Sequence, residues 1–168
     1  VSMMGLGGVA LPARMRPAAP WSKHLKLPTS ITNAQFLRLC SYACLTSVDL
    51  RGCVEIDDDA LLHLKHLRIN RLDLDLYDED DEEFHSGNIT DVGLEHLQHL
   101  PLQHLGLMNC DITDEGLVHL RHLPLKHLDL EFCKITDDGL VHLQQLPLQH
   151  LDLSNSWNIT DDGLVHLQ

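Results

Sequence analysis

Histidine recurs at a fixed interval along this chain, and aspartate accompanies it. His104, His127 and His150 stand 23 residues apart, with Asp129 and Asp152 two residues beyond the last two. Imidazole is the side chain whose charge changes near neutral pH. A carboxylate beside it favours the protonated form, so these histidines are expected to hold protons more tightly than usual. A second set forms H-x-x-H pairs: His63/His66, His96/His99 and His119/His122. Each pair offers two ligands to a transition metal. A complete site also needs a third and a fourth donor, which the spacing does not supply. The plainer reading is that these histidines mark a solvent boundary and were copied with their surroundings. The sequence has no phosphate-binding loop and no nucleophile with a base at a defined spacing. It therefore points away from an enzyme and calls for no cofactor.

Five cysteines complete the reactive inventory: Cys40, Cys44, Cys53, Cys110 and Cys133. Their odd number and the lack of a disulfide framework suggest free thiols in a reducing compartment. That places the chain inside the cell, in the cytoplasm. Cys110 and Cys133 lie one interval apart, which leaves two readings open, a structural slot or a redox or metal pair.

The elements that must position these residues come from a repeat. The segment L-x-x-L-x-L-x-x-C starts at Leu45, Ile69, Leu102, Leu125 and Leu148, at steps of 24, 33, 23 and 23 residues. A worn half-copy at Lys23 to Leu27 opens the series. L-x-L alternates and predicts a short strand with both Leu pointing inward. Next comes I-[TD]-D-x-[GA]-L-x-H-L, as in Ile135 to Leu143. Leu140, Leu143 and Leu146 recur every three residues and predict one face of a short helix. Thr136 before Asp137 and Asp138 supplies an N-cap and an acidic first turn, and Thr113 and Thr160 repeat it. The Pro of the following "LPL" ends the helix. One strand and one helix cannot close a core, but stacked copies can.

"LKHLDLEFCKITDDGL" resembles the leucine-rich repeat family, and most closely its cysteine-containing subclass. That subclass is found in F-box/leucine-rich-repeat adaptors of ubiquitin ligases and in repeat proteins of intracellular bacteria. The resemblance covers roughly Lys23 to Gln168. It implies an α/β solenoid, with parallel strands on a concave face and short helices on a convex one. It also implies that Cys110 and Cys133 are buried and hydrogen-bonded to backbone. No F-box signature occurs in residues 1 to 44. The carry-over therefore stops at a recognition scaffold; a place in a larger assembly such as a ubiquitin-ligase adaptor is what the resemblance alone would add. A metal-binding or pH-responsive histidine array on the same scaffold is the alternative.

In such a stack the residues flanking the strand Leu face solvent on the concave side. The candidate partner-binding residues are Arg71, Asp73, Asp75, His104, Met108, His127, Asp129, Glu131, Phe132, His150 and Asp152. Met108 and Phe132 read as an apolar contact point among charges, the kind of anchor protein recognition uses.

Charge narrows the partner. The formal net charge is −13, yet residues 1 to 48 hold five bases and no acid. All 25 acids therefore lie beyond Val48. An acidic body repels phosphate backbones and excludes nucleic acid, whereas a protein with a basic surface suits it. No run of 18 apolar residues occurs, so no membrane is expected. Residues 1–20 read as a disordered lead-in or a basic targeting segment, with a mitochondrial address open; Val1 and Ser2 read as a cloning remnant. Residues 21–168 form the repeat domain, about five repeats after the half-copy. Six consecutive acids, Asp78 to Glu83, fall in an insertion at 77–88 that reads as a solvated flap or a docking arm. The last repeat reads as incomplete, which implies a fragment, a partner over that end, or self-association through it.

Overall fold

The L-x-L alternation becomes a strand in every copy. The protein is described here by a computed structural model, which covers residues 24–40, 45–76 and 88–167. Among these residues lie six strands: β1 His24–Lys26, β2 Ser47–Asp49, β3 Arg71–Asp73, β4 His104–Gly106, β5 His127–Asp129 and β6 His150–Asp152. They form one parallel sheet in sequence order, β1 to β6. Equivalent repeat positions face each other across every junction, as His104 faces His127 and His127 faces His150. This register holds because a slip of one residue would turn the buried Leu column to solvent.

Between strands the chain returns through α1 Asn33–Cys40, α2 Asp58–Leu61, α3 Asp91–Glu95, α4 Asp114–Leu117, α5 Asp137–Leu140 and α6 Asp161–Leu164. The helix expected over Leu140, Leu143 and Leu146 is only one α turn, which continues as a series of turns. In two copies that continuation is 3₁₀ helix, Leu62–His66 and Val165–Leu167. The physical reason lies in the spacing. Leucines three apart line up at three residues per turn, the 3₁₀ repeat, rather than at 3.6.

The core fills the wedge between strands and helices. Leu125, Leu128, Leu130, Leu140 and Leu143 of one copy are buried, as are Leu102, Leu105, Leu107, Leu117 and Leu120 of the copy before it. The counterparts in the last copy, Leu148, Leu151 and Leu153, are only partly buried. Thr136 caps α5 as expected, accepting a hydrogen bond from the Asp138 N–H.

A further bond set at the helix starts has no sequence expectation behind it. Asp114 accepts from both the Thr136 N–H, at 2.8 Å, and the Thr136 hydroxyl, at 2.6 Å. Asp58 binds Thr90, Asp91 binds Thr113 and Asp137 binds Thr160 in the same way. The first helical Asp of each repeat is thus stapled to the cap Thr of the next. The Gly of each following copy gives that carboxylate room. A Cβ on Gly139 would collide with Asp114 Oδ1.

The cysteine slot is structural where it is described. Cys133 Sγ donates to the Leu107 carbonyl at 3.3 Å and Cys110 Sγ to the Leu74 carbonyl at 3.6 Å. Cys53 Sγ donates to the Pro28 carbonyl at 3.5 Å, and Ser156 Oγ substitutes in the last copy, donating to the Leu130 carbonyl at 3.4 Å. Burial pushes the Cys53 and Cys133 thiols up to about 12, and Cys110 well above its ordinary value. Thiols held protonated in this way are poor nucleophiles and poor metal ligands. Cys44, Tyr77 and the acid run of the insertion lie outside the described residues. No helix among the described residues is long and apolar enough to cross a membrane.

Candidate functional site

Alternation along each strand sends the flanking residues to the open face of the sheet. Eight of the expected partner-binding residues come together there around a cavity of about 370 Å³: Arg71, Asp73, Asp75, His104, His127, Asp129, His150 and Asp152. Met108, Glu131 and Phe132 do not line it. They follow the strands, at the edge of the same face.

The first row of this face holds a stack of imidazoles. The rings of His104 and His127 lie 4.2 Å apart and 9° from parallel; those of His127 and His150 lie 4.5 Å apart at 15°. At His104 and His127 desolvation, with the stacked neighbour adding to it, overturns the expected rise in proton affinity. His104 is held below the ordinary histidine value by partial desolvation first, then by His127 and Arg71, with Asp73 pulling the other way. His127 is lowered as well, by desolvation, His150, Arg71 and Lys126. At His104 desolvation, the stacked neighbour and Arg71 outweigh Asp73, and at His127 no carboxylate offsets desolvation, His150, Arg71 and Lys126, so the neutral form of both rings is favoured.

The second and third rows carry the acids, and their two halves differ. Partial burial works against the charge of Asp49, but the Arg51 guanidinium overcomes it, binding at 2.8 Å and holding the carboxyl below its usual range. Arg71 grips Asp73, also at 2.8 Å. Toward β5 and β6 the carboxylates have only neutral donors among the described residues. Asp129 accepts the Glu131 N–H and Asp152 the Ser154 N–H, each at 2.9 Å, and Glu131 accepts the Asn155 amide at 3.0 Å. Hydrogen bonds from Ser154 hold Asp152 below the usual range. Desolvation raises Asp129, and Asp152 and Glu131 add to it.

Asp75 is the residue whose role the repeat pattern conceals. Asp129 and Asp152 each accept the N–H two residues on. Gly106 stands in their row without a side chain, and the Met108 N–H is left without that acceptor. Asp75 from the preceding copy supplies it, at 3.1 Å. Its carboxylate lies across Gly106, where a Cβ would clash with it. Burial, with Asp129 and Asp73 adding to it, pushes Asp75 up to about 6. The one Gly in an Asp column was the available signal.

Phe132 sits at φ 58°, in the left-handed region. Its counterparts there are Gly52, Asn109 and Asn155, the residue types that tolerate this conformation. A bulky aromatic in that slot departs from the local rule. Phe132 is exposed at the rim, at 36% of its surface.

Three stretches of the chain, residues 95–120, 118–143 and 145–167, match the family model described as Leucine Rich repeat. Over these stretches the solenoid is built of leucine-rich repeats. No curated protein matches the chain. The matched leucine-rich repeats begin at the α3 end and contain β4, β5 and β6, the strands that carry the stacked imidazoles.

The H-x-x-H histidines do not assemble. His66, His99 and His122 are exposed, and His63, His96, His119 and His142 are half-buried at the helix boundary. Among the described residues, the one grouping with three close potential metal donors is Asp129, Glu131 and Asp152. It is open to solvent and contains no histidine. The histidine-metal alternative gains no support from this arrangement.

Proposed function

We propose that the protein is a non-enzymatic interaction scaffold whose concave strand face binds a protein with a basic surface. Leucine-rich repeats are typical protein-interaction modules, and the buried, protonated thiols argue against cysteine chemistry. The observation that carries the reading is the distribution of charge on the open face. Arg51 and Arg71 neutralise one half, and the carboxylates around β5 and β6 have only neutral donors among the described residues. Complementary charge steers association and selects partners. Phe132 and Met108 at the rim fit the role of apolar anchors among charges. The resemblance to ligase adaptors extends the reading to a recognition module within a larger assembly, with ubiquitin-ligase machinery as one candidate.

A pulldown tests it. Wild type and Asp129→Lys/Asp152→Lys are compared, with Asp138→Lys/Asp162→Lys on the helix side as a charge-matched control. Proteins captured by wild type and the control, but lost by the concave variant, support the reading. Identical capture by all three moves the binding surface elsewhere.

A further inference from the structure

The concave face is not uniform, and its asymmetry identifies a kind of ligand. On the β2–β3 side each row-two carboxylate has its own guanidinium, Arg51 on Asp49 and Arg71 on Asp73. On the β4–β6 side no cation among the described residues comes within salt-bridge distance of Asp75, Asp129, Glu131 or Asp152. Beside these acids runs the wall of three stacked imidazoles. The cavity between wall and acids is open to solvent, so a side chain from another molecule can enter it.

We propose that this β4–β6 half docks an extended, arginine- or lysine-bearing segment of the partner protein, and that acidification releases it. The inference rests on the scaffold reading above and names the chemistry of its partner. The occupant follows from charge complementarity. A cation among Asp75, Asp129 and Asp152 recovers the attraction that Arg51 and Arg71 already provide on the other half, in a concave setting that screens it less than open solvent does. The lowered proton affinity of His104 and His127 keeps those rings from opposing that attraction.

The pH response comes from the same groups. Asp75 faces Asp129, Asp73 and Arg51, together with the Met108 N–H. A bound cation favours its charged form, so docking expels its proton, and affinity rises as pH rises through about 6. Asp129, also raised, acts in the same direction. His104 faces His127, Arg71, Asp73 and Lys126, and His127 faces His150, Arg71 and Lys126. Protonating His104 and His127 adds positive charge beside the docked cation. Loss of carboxylate charge and gain of imidazolium charge both push it out.

The test uses the full chain and two synthetic octapeptides, one alternating Arg and Ser, the other Glu and Ser. Affinity is measured by calorimetry at near-physiological salt, close to pH 7.5 and close to pH 5. The Arg peptide is expected to bind and the Glu peptide not to. Binding should shift the ring resonances of His104, His127 and His150. Asp129→Asn/Asp152→Asn should weaken it by about tenfold, since Asn keeps the oxygen that accepts the local N–H but loses the charge. Asp138→Asn/Asp162→Asn, with the same charge loss on the helix side, should change it little. Acidification should weaken wild-type binding by about tenfold, and His104→Gln/His127→Gln should narrow that gap. Equal weakening by both Asn variants reduces the binding to general attraction and overturns the proposal, as does an affinity independent of pH. If the Arg peptide fails to bind while Asp129→Lys/Asp152→Lys still loses captured proteins, this inference falls and the scaffold reading stands.

Discussion

Asp75 carries a cost imposed by its neighbours. Half-buried across Gly106 and set against Asp129 and Asp73, it is pushed up to about 6, whereas an unfolded chain releases such a proton at about 3.9. The folded protein therefore binds this proton more tightly than the unfolded one. The charge of Asp75 costs stability in full above about pH 6, and the cost disappears as pH falls below about 4. Asp75→Asn keeps an acceptor for the Met108 N–H and removes the charge. It should stabilise the fold by about 1–3 kcal/mol near pH 7.5 and by little near pH 4. Urea unfolding at the two pH values checks this; a variant less stable than wild type near pH 7.5 would refute it. A stabilising loss of an acid is the pattern expected of a group kept for binding rather than for folding. The histidines make a second residue-scale prediction. His104 and His127 should titrate below the ordinary histidine range in a ring-resonance titration, and values above it would restore the carboxylate-dominated picture. Sequence alone misjudged this sign. It showed which residues share a row, but not that the rings would stack on each other and turn to Arg71 and Lys126. The rows themselves were legible, because alternation and register fix them once the repeat is aligned.

At the scale of elements, the strands were legible to within a residue and the helices were not. A strand needs only L-x-L and a partner in register. The helix depends on a junction between copies, where a carboxylate from one repeat enters the start of the next. The first junction shows how the letters compensate. Asn33, Asp57 and Ala60 stand where later copies have Asp, Thr and Gly. Asn33 donates its amide to Asp57 and accepts the Asp57 N–H in return. An acid at the cap is thus met by an amide rather than by a second acid. Later junctions close with Asp on Thr and require Gly beside it. Gly139→Ala should therefore displace Asp114 from Thr136 and cost about 1–3 kcal/mol, even though Ala favours helix over Gly by about 1 kcal/mol. The triple change Asp114→Asn/Thr136→Asp/Gly139→Ala rebuilds the first junction in the middle of the array and should recover part of that loss. Denaturant midpoints decide the matter. A Gly139→Ala protein as stable as wild type would show that the staple contributes nothing. The repeat also displayed these letters openly, yet a Thr before two Asp reads fully as a local cap. Its second bond crosses to another repeat, and no local pattern encodes that.

For the whole molecule, stability in a solenoid is a sum of each repeat and its contacts with its neighbours. The copies around β4 and β5 have neighbours on both sides, and their leucines are buried. The copy around β6 has one neighbour among the described residues. Leu148, Leu151 and Leu153 are only partly covered, and Leu164 and Val165 are exposed at 43% and 59%. It retains the same cap, since Thr160 accepts from the Asp162 N–H. The two ends of the acid-rich docking face are thus held with different strength. In a protein made of residues 1–168 alone, opening should begin at β6 and travel toward β4, because each repeat that detaches uncovers only the next. Amide hydrogen exchange should show protection falling from β4 and β5 to β6, with Leu153 exchanging faster than its counterparts Leu107 and Leu130. All three N–H groups lie one residue past a strand. Leu107 and Leu130 donate to the Asp129 and Asp152 carbonyls of the next copy, and Leu153 has no such bond among the described residues. Equal protection across the three would mean that the array opens as one cooperative unit. A ligand seated on β4 to β6 spans the weak copy and the strong ones. Docking should therefore slow exchange most at β6, linking occupation of the concave face to order at that end of the stack.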